Sequence, residues 1–152
     1  MVGYPKTTGN RGLHVDVRLE PRWDSYQVRA AAVAAARELE RRRPELITAA
    51  WWKEEGGRRV FVDNNQNAPH MTVFVAWSVR ARPGAQVSAP WDEINMLHPN
   101  KLTMASVPEW LAAEAEPWEG MNEQPQSLEP LLELHDGIGH PVSRTRHGRP
   151  SI

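Results

Sequence analysis

Pro21 and Pro44 bracket a stretch with one low-energy conformation. Between them runs Ala30-Ala31-Ala32-Val33-Ala34-Ala35-Ala36, of high helix propensity and without a breaker. Asp24 or Ser25 stands where an N-cap belongs. Arg41, Arg42 and Arg43 fall in the last turn, where cations suit the helix dipole, and Pro44 stops the helix. The spacing predicts one helix from 24 or 25 to about 43, with Val28, Ala32, Ala35 and Leu39 along one face. A single long helix needs a second layer to bury that face, so the flanking segments decide the fold class.

Those segments read as short strands. Met1 to Gly12 is turn-rich. Leu13, Val15, Val17 and Leu19 then alternate with His14, Asp16, Arg18 and Glu20, the period of a strand with one buried face. His14, Asp16 and Arg18 share the opposite face, expected to be open. Leu46 to Lys53 is expected to be extended, Gly56-Gly57 to turn, and Val60-Phe61-Val62-Asp63 to form a short strand ending on a carboxylate. Asn64 to Pro69 reads as a polar loop, Thr72 to Val79 as an apolar strand and Gln86 to Ala89 as one more short strand. From Pro90 the pattern becomes helical: Trp91 to Met96, Val107 to Ala115 with Pro108 in its first turn, and Gln126 to Leu134. The fold class expected is α+β, a small mixed or antiparallel sheet with the long helix on one face, followed by short C-terminal helices. One domain over residues 1–134 and a flexible tail over 135–152 complete the expectation.

Composition narrows the function classes. The chain has no cysteine, so disulfide frameworks and thiolate metal sites are excluded. No apolar run reaches the length of a membrane span, and the N-terminal residues carry no signal-peptide pattern; a cytoplasmic location is expected. The net charge of −1 conceals an asymmetry of +5 over residues 1–90 and −6 over residues 91–152. The first part is suited to a polyanion, although a solvated charged surface gives the same count.

Three short segments can carry chemistry. In Thr7-Thr8-Gly9-Asn10-Arg11-Gly12-Leu13-His14 the glycines allow a tight turn and close backbone approach to a ligand. Thr8, Asn10 and backbone N–H groups can donate to phosphate oxygens, and Arg11 adds a planar cation. The segment is not a P-loop, since Gly-Lys-Ser/Thr is missing and a strand follows instead of a helix; a plain surface turn is the alternative. Asp63, at the end of an apolar strand, can present a carboxylate to Mg²⁺, with Gln66 and Asn67 as neutral neighbours, or can simply cap a loop turn. Arg80 and Arg82, two apart, point the same way on an extended chain and can clamp a triphosphate, or stay solvated. The histidines at 70, 98, 135, 140 and 147 have no metal-ligand spacing, and Trp51, Trp52, Trp77 and Trp110 fit a core better than a base-stacking platform.

The order of these segments resembles a known family. Tyr4-Pro5-Lys6-Thr7-Thr8-Gly9-Asn10-Arg11-Gly12-Leu13-His14-Val15, Val60-Phe61-Val62-Asp63 with Gln66-Asn67, and Trp77-Ser78-Val79-Arg80-Ala81-Arg82 are similar to the polymerase domain of bacterial DNA ligase D, in the archaeo-eukaryotic primase superfamily. Glu123-Gln124-Pro125-Gln126-Ser127-Leu128-Glu129-Pro130 resembles its C-terminal region, so the likeness runs from Tyr4 to Leu134.

The resemblance implies two-metal nucleotidyl transfer with Mg²⁺ or Mn²⁺. Asp63 falls on a metal-binding aspartate, and with His14 it takes the catalytic positions. Thr8, Asn10, Arg11, His14, Gln66, Arg80 and Arg82 fall on or beside nucleotide contacts. The implied partners are an NTP or dNTP, DNA ends in non-homologous end joining, and a DNA ligase or end-binding protein. The family's paired Asp-x-Asp lies before the region this chain covers, so an upstream extension or a second chain carrying the N-terminal half is expected to supply it. The alternative is an inactive nucleotide- or DNA-binding remnant. Asp16 and Asn64 stand where aromatics are usual and Met71 where a lysine is. The Pro90-Trp91-Asp92 segment is shortened. Asp16 could stand in for a missing carboxylate, but pairing with Arg18 or facing solvent fits it better.

Overall fold

A computed structural model describes residues 1–81, 84, 86–90, 98–113 and 117–137. The elements in chain order are β1 (Tyr4–Thr7), β2 (Leu13–Asp16), α1 (Ser25–Arg42), β3 (Ile47–Thr48), α2 (Lys53–Gly56), β4 (Val60–Phe61), α3 (Val107–Ala113) and α4 (Glu129–Gly137). The class is α+β. The strands form two small sheets, one antiparallel (β1–β2) and one parallel (β3–β4), in two compact units.

The first unit comprises Met1–Asp24 with Pro69–Ser127. Its sheet pairs Tyr4 with Asp16, Pro5 with Val15, Lys6 with His14 and Thr7 with Leu13. Tyr4–Thr7 was expected to be part of a turn-rich lead-in; it is a strand, because both its edges find partners. On the edge away from β2, Thr7 N donates to Ala89 O at 2.9 Å, and an isolated bridge joins Lys6 to Pro90. Thr7 is only 1 % exposed. Its hydroxyl donates to Val87 O at 2.9 Å and accepts from Ala89 N at 3.0 Å, while Ser88 Oγ donates to Thr7 O at 2.6 Å. Val87 and Ala89 continue from this seam into the core, with Leu102 and Val107, and Trp77 packs against them. Trp77 in turn stacks at a tilt on Trp110 of α3, with ring centroids 6.0 Å apart.

Thr7→Val keeps the volume and removes both hydroxyl bonds from a dry site. It is expected to cost about 1–3 kcal/mol, read as a lower urea midpoint with an unchanged slope.

Two further expectations fail in this unit. The alternation along β2 is present, but its polarity is inverted: Leu13 and Val15 are 51 % and 63 % exposed, whereas His14 and Asp16 are half-buried. The face carrying His14 is the packed one, since it meets the buried Lys6 side chain. The second failure is Thr72 to Val79, which forms no ladder strand. His70 and Trp77 have φ of 66° and 67°, a left-handed conformation costly for side chains of this size. These reversals break the run, leaving an antiparallel bridge between Val79 and Val87. The turn at Trp77 is closed by Ser78 N to Val75 O at 3.2 Å.

The second unit comprises Ser25–Ala68 and the chain from Leu128. The long helix forms within a residue of its expected limits. Its buried positions are Ala31, Ala34 and Ala36, and Leu39 is 43 % exposed, so the packed face is rotated from the one expected. α1 packs on α4 and β3; a small-residue stripe lets the neighbouring backbones come close, which the larger Leu39 would hinder. At its C-terminus Arg41 and Arg42 both bond Glu38, at 2.7 Å each, and hold its carboxyl down at about 2. β3 and β4 align Ile47 with Val60 and Thr48 with Phe61.

The C-terminal helix runs Glu129–Gly137, past the expected end at Leu134. α3 starts at Val107, as expected. The expected helix over Trp91 to Met96 and the tail beyond residue 137 lie outside the described residues. Among the described residues, no helix is long and apolar enough to cross a membrane.

Candidate nucleotide site

The turn between β1 and β2 is a built loop. Thr8 N donates to Gly12 O at 3.0 Å, closing a five-residue connection with Asn10, Arg11 and Gly12 exposed at its tip. Gly9 has φ of 64° and is buried. A Cβ there would lie 2.8 Å from Arg80 Cγ and 3.2 Å from Gln86 O. Only glycine satisfies both the conformation and the approach.

Arg80 is the other wall of this loop. Its Nε donates to Thr8 O at 2.9 Å, its backbone N donates to Gln86 O at 2.8 Å, and its guanidinium carbon sits 3.7 Å from the centre of the Phe74 ring. The carbonyl and the ring fix the plane of the guanidinium, which lowers the entropy cost of meeting an anion. The structure brings Arg80 against the glycine loop. Arg82, its expected partner, lies outside the described residues.

Beneath the loop, His14 Nδ1 lies 2.6 Å from Lys6 Nζ, which also donates to Phe74 O at 2.8 Å. Lys6 is 2 % exposed. Burial lowers its pKa, the carboxylate of Asp16 pulls it back up, and Arg80 lowers it further. Asp16, half-buried on the same face of β2 as His14, thus acts on this buried cation through its charge. Lys6 carries no role in the sequence reading. Its signal was available in principle: once Tyr4–Thr7 is a strand, antiparallel pairing puts Lys6 directly across from His14.

Gly9→Ala is expected to strain the loop and push Arg80 outward. A stability loss of about 1–2 kcal/mol should follow from the forced positive φ alone, measurable by thermal or urea melting.

Asp63 and Gln66 belong to the second unit. Asp63 is exposed, just beyond β4, and its Oδ1 accepts from Asn65 N at 2.9 Å and Asn65 Nδ2 at 3.2 Å. It thus caps the turn that leads into the 3₁₀ segment Asn65–Asn67, where Gln66 is exposed. Beside them a shallow cavity of about 240 Å³ is lined by Val33, Arg37, Ala49, Trp51, Phe61, Asn64 and Asn65. Trp51 and Phe61 meet edge to face at 6.0 Å. Among the described residues, no three His, Asp or Glu side chains gather to hold a metal ion.

Comparison with known proteins gives concordant matches. The family described as LigD, primase-polymerase domain, matches residues 1–118. The multifunctional non-homologous end joining protein LigD of Mycolicibacterium smegmatis is 38 % identical over 93 residues, covering 60 % of this chain and 12 % of the relative. Its counterpart in Pseudomonas aeruginosa is 35 % identical over 120 residues, covering 76 % and 14 %. Among solved structures, the polymerase domain from Mycobacterium tuberculosis ligase D in complex with DNA superposes with a TM-score of 0.72 at 27 % identity, covering 82 % of this chain and 44 % of that one. The chain thus spans a small fraction of these relatives and less than half of the solved domain.

Proposed function

The chain belongs to the LigD primase-polymerase domain family, and from that premise we propose that it grips the triphosphate of an incoming nucleotide for nucleotidyl transfer at DNA ends. The observation that carries this reading is the loop of residues 8–12 clasped by Arg80, with Gly9 admitting the arginine against the backbone. Thr8, Asn10, Arg11 and His14 contribute donors on the loop side and Arg80 and Arg82 the guanidinium groups; Gln66 falls on a neutral nucleotide contact of the family. A phosphate tail suits this set because its charge is spread over oxygens that accept from many N–H and O–H groups at once.

Asp63 supplies one carboxylate to a divalent cation, Mg²⁺ or Mn²⁺, which provides the electrostatic stabilisation that phosphoryl transfer requires. The other carboxylates come from the remaining part of the polymerase domain, either in the same polypeptide or in a second chain. DNA ends, and the ligase and end-binding protein of end joining, are the partners of the resulting assembly. The other reading is a module that holds nucleotide and performs no chemistry.

The test is binding followed by incorporation. The chain should bind a fluorescent nucleoside triphosphate more tightly than the monophosphate, by about tenfold or more, with affinity falling as salt rises. Equal affinity for triphosphate and nucleoside would end the proposal. Binding without incorporation, even with Mn²⁺ and the rest of the domain present, would leave the binding module.

A further inference from the structure

A lysine is seldom fully buried without a reason, because taking an ammonium out of water is costly. Lys6 is 2 % exposed, and two groups meet its Nζ: the Phe74 carbonyl at 2.8 Å and His14 Nδ1 at 2.6 Å. An ammonium has three donors and no lone pair. Its contact with Nδ1 is therefore a donation, and a nitrogen that accepts carries no proton. The ring proton then resides on Nε2. We propose that Lys6 is a positioning residue for His14: it holds the imidazole in the neutral Nε2–H form and so presets a hydrogen-bond donor for the nucleotide's phosphates. The second half of that statement rests on the triphosphate reading; the first half does not.

The surroundings give this arrangement a purpose. A histidine beside a polyanion is driven towards its cationic form, and its grip would then vary across neutral pH. A cation 2.6 Å from Nδ1 opposes the uptake of a second proton. Among the described residues, the charged groups acting on Lys6 are Asp16 from β2 and Arg80 from the segment after Trp77. Asp16 stabilises the ammonium across the strand pair, and Arg80 adds a second positive charge on the side of the loop. The contact from His14 then keeps one strength while the pH changes.

Nitrogen-15 correlation spectra of the full chain read the tautomer directly, with His14→Gln assigning the signal. The parent protein should show His14 neutral and protonated on Nε2 alone. Lys6→Met removes the donor and fills the space with a flexible apolar chain. It should give a mixture of tautomers, and its ring should take up a second proton at a pH about one unit or more higher than in the parent. Between pH 5.5 and 8 the variant's triphosphate affinity should gain about three- to tenfold towards acid relative to the parent's, a ratio in which titration of the ligand's own terminal phosphate cancels. Lys6→Arg, which keeps a cationic donor, should restore the single tautomer. An Nδ1–H signal in the parent overturns the proposal without any variant, and so does an identical tautomer and titration in Lys6→Met. Should Lys6→Met fail to fold, Lys6→Gln serves in its place. A parent with the expected tautomer but no change in the His14 signal on adding ATP would sink the triphosphate reading and leave the Lys6–His14 pairing standing.

Discussion

Replacing Asp63 with alanine is expected to bring metal-dependent nucleotide incorporation down to background in an assembly that contains the whole polymerase domain. Even partners that merely orient metal ligands carry about 10–100-fold, so loss of a ligand should cost at least about a hundredfold. The structure shows why alanine alone is an ambiguous probe. Asp63 Oδ1 also accepts from Asn65 N and Asn65 Nδ2, so the side chain shapes the turn before Gln66. Asp63→Asn separates the two roles. Its amide oxygen can still accept from Asn65 N, as asparagine does in such turns, while the negative charge is gone. Asp63→Asn should therefore keep the melting temperature and lose incorporation as completely as Asp63→Ala. Triphosphate binding by the chain without metal should change less than about twofold in either, because the bonds of Asp63 go to Asn65 and none to the glycine loop. Incorporation by Asp63→Asn at the parent rate would remove Asp63 from the metal site.

The sequence discloses this fold unevenly, and the reasons are physical. α1 is legible almost to the residue because propensity, a cap position and Pro44 all act locally. Its packed face is not: Ala31, Ala34 and Ala36 are buried in place of the expected Val28, Ala32, Ala35 and Leu39, and in a run that is alanine at six of the seven positions 30–36 the hydrophobic pattern carries little phase information. β1 is missed because Pro5 and the flanking glycines read as a turn, while the bonds that make it a strand come from Ala89 and from β2, both remote in its pattern. β2 is legible as a strand, but the side it buries is decided by Lys6, a residue whose charge argues against burial. At the site, the glycine loop and Arg80 are separately readable; that they touch through Thr8 O and Gly9 is a tertiary fact. Lys6 escapes notice because no pattern rule anticipates an ammonium held by a carbonyl and an imidazole.

Arg80→Ala is expected to weaken triphosphate binding by about 10–100-fold, the range for a hydrogen bond to a charged group. Arg80 is held from three directions: Nε on Thr8 O, the guanidinium over Phe74, and backbone N on Gln86 O. Two of these depend on the side chain, so alanine also releases the loop. Arg80→Lys tests how much of the effect is charge. Lysine keeps the positive charge but cannot offer a flat face to Phe74 or reproduce the Nε bond; an intermediate loss is expected. The decisive measurement is a double-mutant cycle with Gly9→Ala. If a methyl group at Gly9 acts by displacing Arg80, from which it would be separated by only 2.8 Å, then adding Gly9→Ala to Arg80→Ala should cost little more binding than Arg80→Ala alone. Additive losses would mean that each residue contacts the ligand independently. In that case the loop and the arginine would be neighbours without being one device, and the clasp that carries the functional reading would not exist.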